Sequence, residues 1–217
     1  MIGILAYGSL ITHPGQEIES VLDHVIPDVM TPFPVEYARR SRSRAGAPTL
    51  VPIPIGCGTP VNAVVLVLKK YTRKKKALNF LYRREVHREG DLKVIYEDQA
   101  QRQKRDALVI ESMQNQFGLS VIYYTALKPN FTEILDTKLT QEQKAELLAR
   151  AAIDSLTQET YAKEMDGIQY LADNIEAGVV TTLTEPYEQA IVKKAGNNNS
   201  NLGQARWFIA KQKGVNE

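Results

Sequence analysis

The chain predicts an α+β fold, and three observations carry that expectation. As far as Leu127 it alternates short apolar, often β-branched segments with turns rich in Pro and Gly. One segment of helical spacing, Arg73 to Val86, is embedded among those strands. From Thr140 onward apolar residues recur at helical spacing instead. At 217 residues, one domain is expected and a second is compatible with the length.

Ile2 to Ala6 is apolar and reads as a short buried strand, with Tyr7-Gly8-Ser9-Leu10 as the turn after it. Ile18, Val21, Leu22 and Val25 have helical spacing and predict one or two turns over Ile18 to Val25. Pro27, Pro32 and Pro34 then exclude regular helix, and Val35 to Arg39 has strand character. Pro48, Pro52, Pro54 and Pro60 surround Thr49 to Ile55, so a strand there lies at an edge or carries a bulge. Val61 to Leu68 is the strongest strand, apolar on both faces, which predicts cover on both sides. In the embedded helix the apolar positions are Ala77, Leu78, Leu81 and Tyr82, and Gly90-Asp91 marks a turn. Leu92 to Tyr96, Ala107 to Glu111 and Leu119 to Leu127 predict further strands, and polar Glu97 to Asp106 an exposed hairpin or loop. Thr140 with Gln143 has the form of a capping box opening a helix over Glu142 to Leu156. Gln158 to Ala177 predicts another helix, and Thr184-Glu185-Pro186 opens a third with Pro in its first turn. Asn197-Asn198-Asn199 breaks that helix before a last short one with Trp207 and Phe208. No internal repeat is present.

The composition, 43% apolar and 24% charged, is that of an ordinary soluble globular protein. The net charge of +2 hides a segregation: residues 39–105 hold 17 Lys/Arg against 5 Asp/Glu, whereas residues 1–38 and 106–217 are each net acidic. The lone Cys57 admits no intrachain disulfide, which fits a reducing compartment, and a cytoplasmic location is expected. Between Gly56 and Gly58 it could be nucleophilic, but the plainer reading is a buried or bystander thiol. One Cys and three scattered histidines (His13, His24, His87) argue against a structural zinc site, and no cofactor is expected. The longest apolar stretch, Ala63 to Leu68, is far short of the ~20 residues of a membrane helix, and no signal-peptide pattern is read at the N-terminus.

Two constellations have the residue types for chemistry. In Tyr7-Gly8-Ser9-Leu10, glycine permits a backbone shape in which N–H groups converge on an anion or carbonyl oxygen, and two hydroxyls stand beside it; an ordinary turn is the plain alternative. In Leu81-Tyr82-Arg83-Arg84-Glu85, a carboxylate closes a helix beside strands. Desolvation there would suit it to acid/base work; the plain alternative is a solvated carboxylate paired with Arg84 or Arg88.

Together the two elements resemble the γ-glutamyl cyclotransferase superfamily, in the form of its glutathione-specific ChaC-type branch. Ile4-Leu5-Ala6-Tyr7-Gly8-Ser9-Leu10-Ile11 is similar to the superfamily's N-terminal signature, reading YGSL as in that branch. Ala77 to Glu85 (ALNFLYRRE) resembles the branch's helix ending in Arg-Glu, and the order of turn, basic strands, Val-rich strand and helix agrees. The resemblance covers residues 1–127 well and the C-terminal helices loosely. It implies a small, partly closed mixed β-barrel with a helix packed alongside, as a domain over 1–130, and a helical extension over 131–217 on the same unit. The implied reaction is attack of a γ-glutamyl α-amine on its own γ-carbonyl, giving 5-oxoproline and a free amine, without metal or cofactor.

By the same resemblance Glu85 is the catalytic acid/base, and the backbone of Tyr7, Gly8, Ser9 and Leu10 receives substrate. Arg40 would meet a substrate carboxylate. Tyr124 matches a late-strand tyrosine of the family, although a register error would exchange it with Tyr123. Tyr170 matches a tyrosine of the C-terminal helix; for both Tyr124 and Tyr170, packing in the core is an equal reading. Val86-His87-Arg88 departs from the Gly-Gly-Tyr that usually follows the branch's glutamate, and Leu92 replaces a tyrosine. These departures bear on the substrate more than on the chemistry. Glu89-Gly90 mimics the Glu-Gly of other members, but the spacing from Leu81 favours Glu85 over Glu89.

Three functional expectations follow. The first is a γ-glutamyl cyclotransferase-like enzyme acting on glutathione or a related γ-glutamyl amide, with the basic middle third aiding capture of an anionic substrate. The second is a non-catalytic small-molecule binder with the same fold. The third is nucleic-acid contact through residues 69–76, for which a solvated charged face is the plainer reading. No membrane partner is expected, and the oligomeric state stays open.

Overall fold

The apolar runs become the central strands because only they can be buried on both faces. Ile2–Ala6 forms β1, buried throughout, and Asn62–Leu68 forms β5 beside it. The computed structural model describes residues 1–103, 107–157, 165–196 and 201–215. The chain separates into two units: Met1–Pro32 with Val61–Lys128, and Phe33–Pro60 with Pro129–Glu217. Residues 33–60 thus group with the C-terminal part of the chain and not with the strands that flank them in sequence.

In the first unit, β1, β5, β2 (Leu22–Met30), β6 (Ile110–Gln116) and β7 (Leu119–Thr125) make one sheet in the order β2-β5-β1-β7-β6. β1 is antiparallel to β5 and parallel to β7, with Ile4 opposite Tyr123. One face, including Ile2, Ile4, Ala6, Leu66, Leu68, Val121 and Tyr123, packs on Ala77, Phe80 and Leu81 of α3 (Lys74–Glu85). Two single-turn helices, α1 (Ser9–Thr12) and α2 (Gln16–Glu19), add Leu10 and Ile18 to that core. A further short helix, α4 (Asp98–Arg102), precedes β6.

The α+β class holds, and the sheet is mixed and not a closed barrel. Its edges are β2 and β6, and among the described residues no pairing joins them. Their composition explains this. β2 carries Asp23, Pro27 and Asp28, is largely exposed and shifts register twice; β6 ends in the exposed Gln114-Asn115-Gln116. Charges, proline and bulges are what keep an edge strand from pairing.

Two local expectations also change. The helix over Ile18 to Val25 ends at Glu19, because Leu22 onward pairs with β5 as β2; sheet pairing overrides the helical spacing. Leu92 to Tyr96 is not a strand: Leu92 and Ile95 are exposed, and the Tyr96 N–H donates to the Asn79 side chain at 2.9 Å. Part of Glu97 to Asp106 is helical, as α4.

The second unit joins a two-stranded antiparallel ribbon, β3 (Val35–Ser41) with β4 (Ala47–Pro52), to the helices α5 (Gln141–Ser155), α6 (Gly167–Glu176), α7 (Thr184–Ala195) and α8 (Leu202–Gln212). β3 is bulged between Glu36 and Arg39. The Thr140 capping box forms in full, with Gln143 N–H donating to Thr140 Oγ1 at 3.3 Å and Thr140 N–H to Gln143 Oε1 at 2.9 Å. Asp166 caps α6 by accepting from the Ile168 and Gln169 N–H groups, both at 2.9 Å. The expected helix over Gln158 to Ala177 is therefore a helix from Gly167, with 158–164 outside the described residues, as is Asn197-Asn198-Asn199. Tyr37, Phe131, Leu148 and Tyr187 are fully buried in this unit. Among the described residues no helix is long and apolar enough to cross a membrane.

Candidate active site

The geometry starts from Gly8. Its backbone, φ 62° and ψ −144°, lies where side-chain-bearing residues are strained, and it turns β1 directly into α1. Ser9 and Leu10 thereby become the first residues of a helical turn, whose leading N–H groups have no acceptor within the helix. Leu10 is buried against α3, and the Tyr7 hydroxyl donates to the Thr125 carbonyl at 2.8 Å. Because β1 and β7 run parallel, both of their carboxyl ends lie at this turn.

α3 delivers Glu85 to the same place. Ala77, Phe80 and Leu81 hold the helix on the sheet, so its last turn falls beside α1. Arg84 makes the connection. Its Nη2 donates to the Ser9 carbonyl at 2.9 Å, to Ser9 Oγ at 3.3 Å and to the His13 carbonyl at 2.7 Å, while Nη1 donates to Glu85 Oε1 at 2.7 Å. The Arg84 and Glu85 side chains are only 14% and 15% exposed. Glu85 is therefore paired with Arg84, as the plain reading anticipated, yet sheltered from solvent. Its Oε2 accepts no hydrogen bond among the described residues.

Arg83 holds the next layer. Its Nε and Nη2 meet both carboxylate oxygens of Glu17 at 2.7 Å, and Nη1 donates to the Val94 carbonyl at 3.1 Å. This fork ties α2 and the 91–96 segment to the end of α3. The sequence pointed to Arg84 only as a partner of Glu85; its reach to Ser9 and the Arg83–Glu17 fork had no signal there beyond Arg-Arg directly before the glutamate. Gly15, with φ 92°, sits where a Cβ would press on Arg84 Cγ and on the Glu89 carboxylate. Glu89 is exposed, and its Oε1 faces the Glu17 N–H at 3.5 Å. Of the two candidate carboxylates, Glu85 is the more sheltered.

The remaining candidates fall elsewhere. Tyr123, opposite Ile4, is on the face of the sheet that packs on α3. Tyr124 therefore points to the other face; it pairs with Glu111 across β6, and burial, then the Glu111 charge, raises its phenol above the ordinary value. Arg40 and Tyr170 belong to the second unit. The Arg40 guanidinium lies 3.8 Å over the Phe131 ring, and the residue lines an open cavity of about 610 Å³ with Ser41, Arg42 and Asn130. Tyr170 is buried edge-on against Tyr37, and its hydroxyl accepts from the Leu50 N–H at 3.4 Å. Cys57 is exposed beside a cavity of about 250 Å³ that Lys144 and Thr182 also line, with no histidine among its lining residues.

The basic middle third is divided by the fold. Arg39, Arg40, Arg42 and Arg44 are in the second unit, and Lys69 to Arg102 in the first. Within α3, Lys74–Lys76 open the helix and Arg83–Arg84 close it, about 13 Å apart along the axis at 1.5 Å per residue. Both closing arginines are engaged with carboxylates. Among the described residues, no three His, Cys, Asp or Glu side chains gather as metal ligands would. Comparison with protein-family models, with curated proteins and with solved structures returned no match to this chain.

Proposed function

We propose that the protein is a γ-glutamyl cyclotransferase-like enzyme in which Glu85 moves the proton. The observation that carries this reading is the Arg84 bridge, which joins Glu85 to the Tyr7-Gly8-Ser9-Leu10 turn across the 75 positions between Arg84 and Ser9. The substrate's neutral α-amine attacks its own γ-carbonyl carbon. As the new C–N bond forms, the amine proton passes to Glu85 Oε2. The tetrahedral intermediate then expels the leaving nitrogen, which takes that proton from Glu85, and 5-oxoproline and a free amine result. A single carboxylate serves as base and then acid. The leading N–H groups at Ser9 and Leu10 receive the substrate carboxylate or the developing oxyanion. Arg40, Tyr124 and Tyr170 are expected as substrate contacts by resemblance alone and carry no part of this reading.

The test is purified protein with glutathione and with γ-glutamyl amino acids, following 5-oxoproline. The expected result is product from at least one of them and none from Glu85→Gln. Absence of product from all, or an unchanged rate in Glu85→Gln, sinks the reading; ligand-induced thermal stabilisation without turnover would point to the non-catalytic binder instead.

A further inference from the structure

The turn between β5 and α3 carries charge that works against its own helix. Six of the eight residues from Lys69 to Lys76 are cations. Lys74, Lys75 and Lys76 occupy the first turn of α3, which holds no acidic residue, and the N-cap, Arg73, makes no side-chain capping bond. The positive end of the helix dipole repels such charges. An ordinary solvated face mixes signs and pairs them along the helix, but here the residues one turn on, Leu78, Asn79 and Phe80, are uncharged. The side chains of Lys70, Arg73, Lys74 and Lys75 are exposed and make no ion pair or hydrogen bond among the described residues.

An aromatic ring stands in the middle of this charge. Tyr71 is 68% exposed and has no side-chain partner among the described residues. The turn beneath it is firm: the Thr72 N–H donates to the Lys69 carbonyl at 2.8 Å, Thr72 is buried, and Lys69 Nζ donates to the Ser20 carbonyl at 3.2 Å. The nearest cation of the patch, Lys76, is about 13.5 Å from Glu85 along α3, beyond a physiological Debye length of about 8 Å, so the patch does not belong to the proposed active site.

We propose that Lys69 to Lys76 is a docking surface for a single-stranded polynucleotide. Lys70, Arg73, Lys74 and Lys75 meet its phosphates, and Tyr71 stacks on an unpaired base. Cations interleaved with an exposed ring are the combination that single strands need, and a lone ring can stack only where a base is not already paired. A membrane surface fits less well, because Ala77, Phe80 and Leu81 are buried in the core and leave α3 no apolar face to insert.

Fluorescence anisotropy with labelled oligouridine and oligothymidine tests the proposal across a salt series. The full chain should bind one or both at low salt, and the tighter of the two distinguishes RNA from DNA as the source. The triple variant Lys70→Gln, Lys74→Gln, Lys75→Gln should lower the slope of log affinity against log salt by about two. Tyr71→Ala should weaken single-strand binding about fivefold or more with the slope kept, and leave a duplex unaffected. These side chains are exposed, and circular dichroism should show that the variants fold. The proposal is overturned by no binding at low salt, by an unchanged slope in the triple variant, or by Tyr71→Ala without effect. Equal competition by polyglutamate, or retention on phosphatidylserine vesicles without oligonucleotide binding, overturns it as well.

Discussion

Arg84 and Ser9, 75 positions apart, are joined by hydrogen bonds from one guanidinium nitrogen to the Ser9 carbonyl at 2.9 Å and to its hydroxyl at 3.3 Å. The opposite nitrogen of the same group holds Glu85. If Glu85 is the acid/base, Arg84→Gln should reduce kcat for 5-oxoproline formation by tenfold or more, since roughly an ångström of misplacement can cost about a hundredfold. Arg84→Lys should recover only part, because one ammonium cannot span three acceptors in fixed directions. Steady-state kinetics decide; an effect confined to KM would contradict the positioning role.

The Arg83–Glu17 pair is a matter of stability. With side chains 4% and 15% exposed, removing one partner leaves the other charged and sheltered. Arg83→Ala should cost on the order of 3 kcal/mol in urea denaturation. The double variant Arg83→Met, Glu17→Leu should recover most of that, because apolar packing replaces the pair.

Glu36 makes a pH prediction for the second unit. It is 1% exposed, and its carboxylate accepts from the Tyr37 N–H at 2.9 Å, Thr181 Oγ1 at 2.7 Å and Thr182 Oγ1 at 2.9 Å. Burial outweighs these bonds and raises its pKa above the ordinary 4.5. A raised folded-state value means the folded chain binds this proton more tightly than the unfolded one. Its stabilising effect is therefore complete below 4.5 and is lost as pH rises through the raised value. The melting temperature of Glu36→Gln relative to the parent should accordingly increase with pH across that window. A difference that stays flat or falls would refute it.

Thr140→Ala removes one arm of the capping box on α5. Thermal or urea unfolding should show a loss of about 1 kcal/mol. Thr140→Ser should retain most of the stability.

Lys74→Glu should stabilise the first unit by about 0.3–1 kcal/mol, since it places an acid where the α3 dipole favours one. The gain should shrink in high salt. Absence of any gain at low salt would show that these lysines carry no cost in the folded protein.

Segments whose fate is decided locally were legible in the sequence. β1 and β5 follow from apolar, β-branched runs; α3, α5 and α7 follow from spacing, a capping box and a first-turn proline. The Gly8 turn and the carboxylate at the helix end were also visible as residue types. Tertiary structure decided what depends on partners far away in the chain. Leu22 to Val25 joined β5 against its helical spacing, Leu92 to Tyr96 found no strand to pair with, and among the described residues no pairing joins the sheet's edges, the charged and bulged β2 and the polar end of β6. Only the fold could show that Arg84 reaches back to Ser9, or that Tyr123 and not Tyr124 faces α3, because hydrogen bonding and facing are set by register and packing between distant segments. Charge divides the same way: its count is written in the sequence, but whether a cation is paired, as in Arg83, or unpaired, as in Lys74, depends on which distant carboxylate the fold brings within reach.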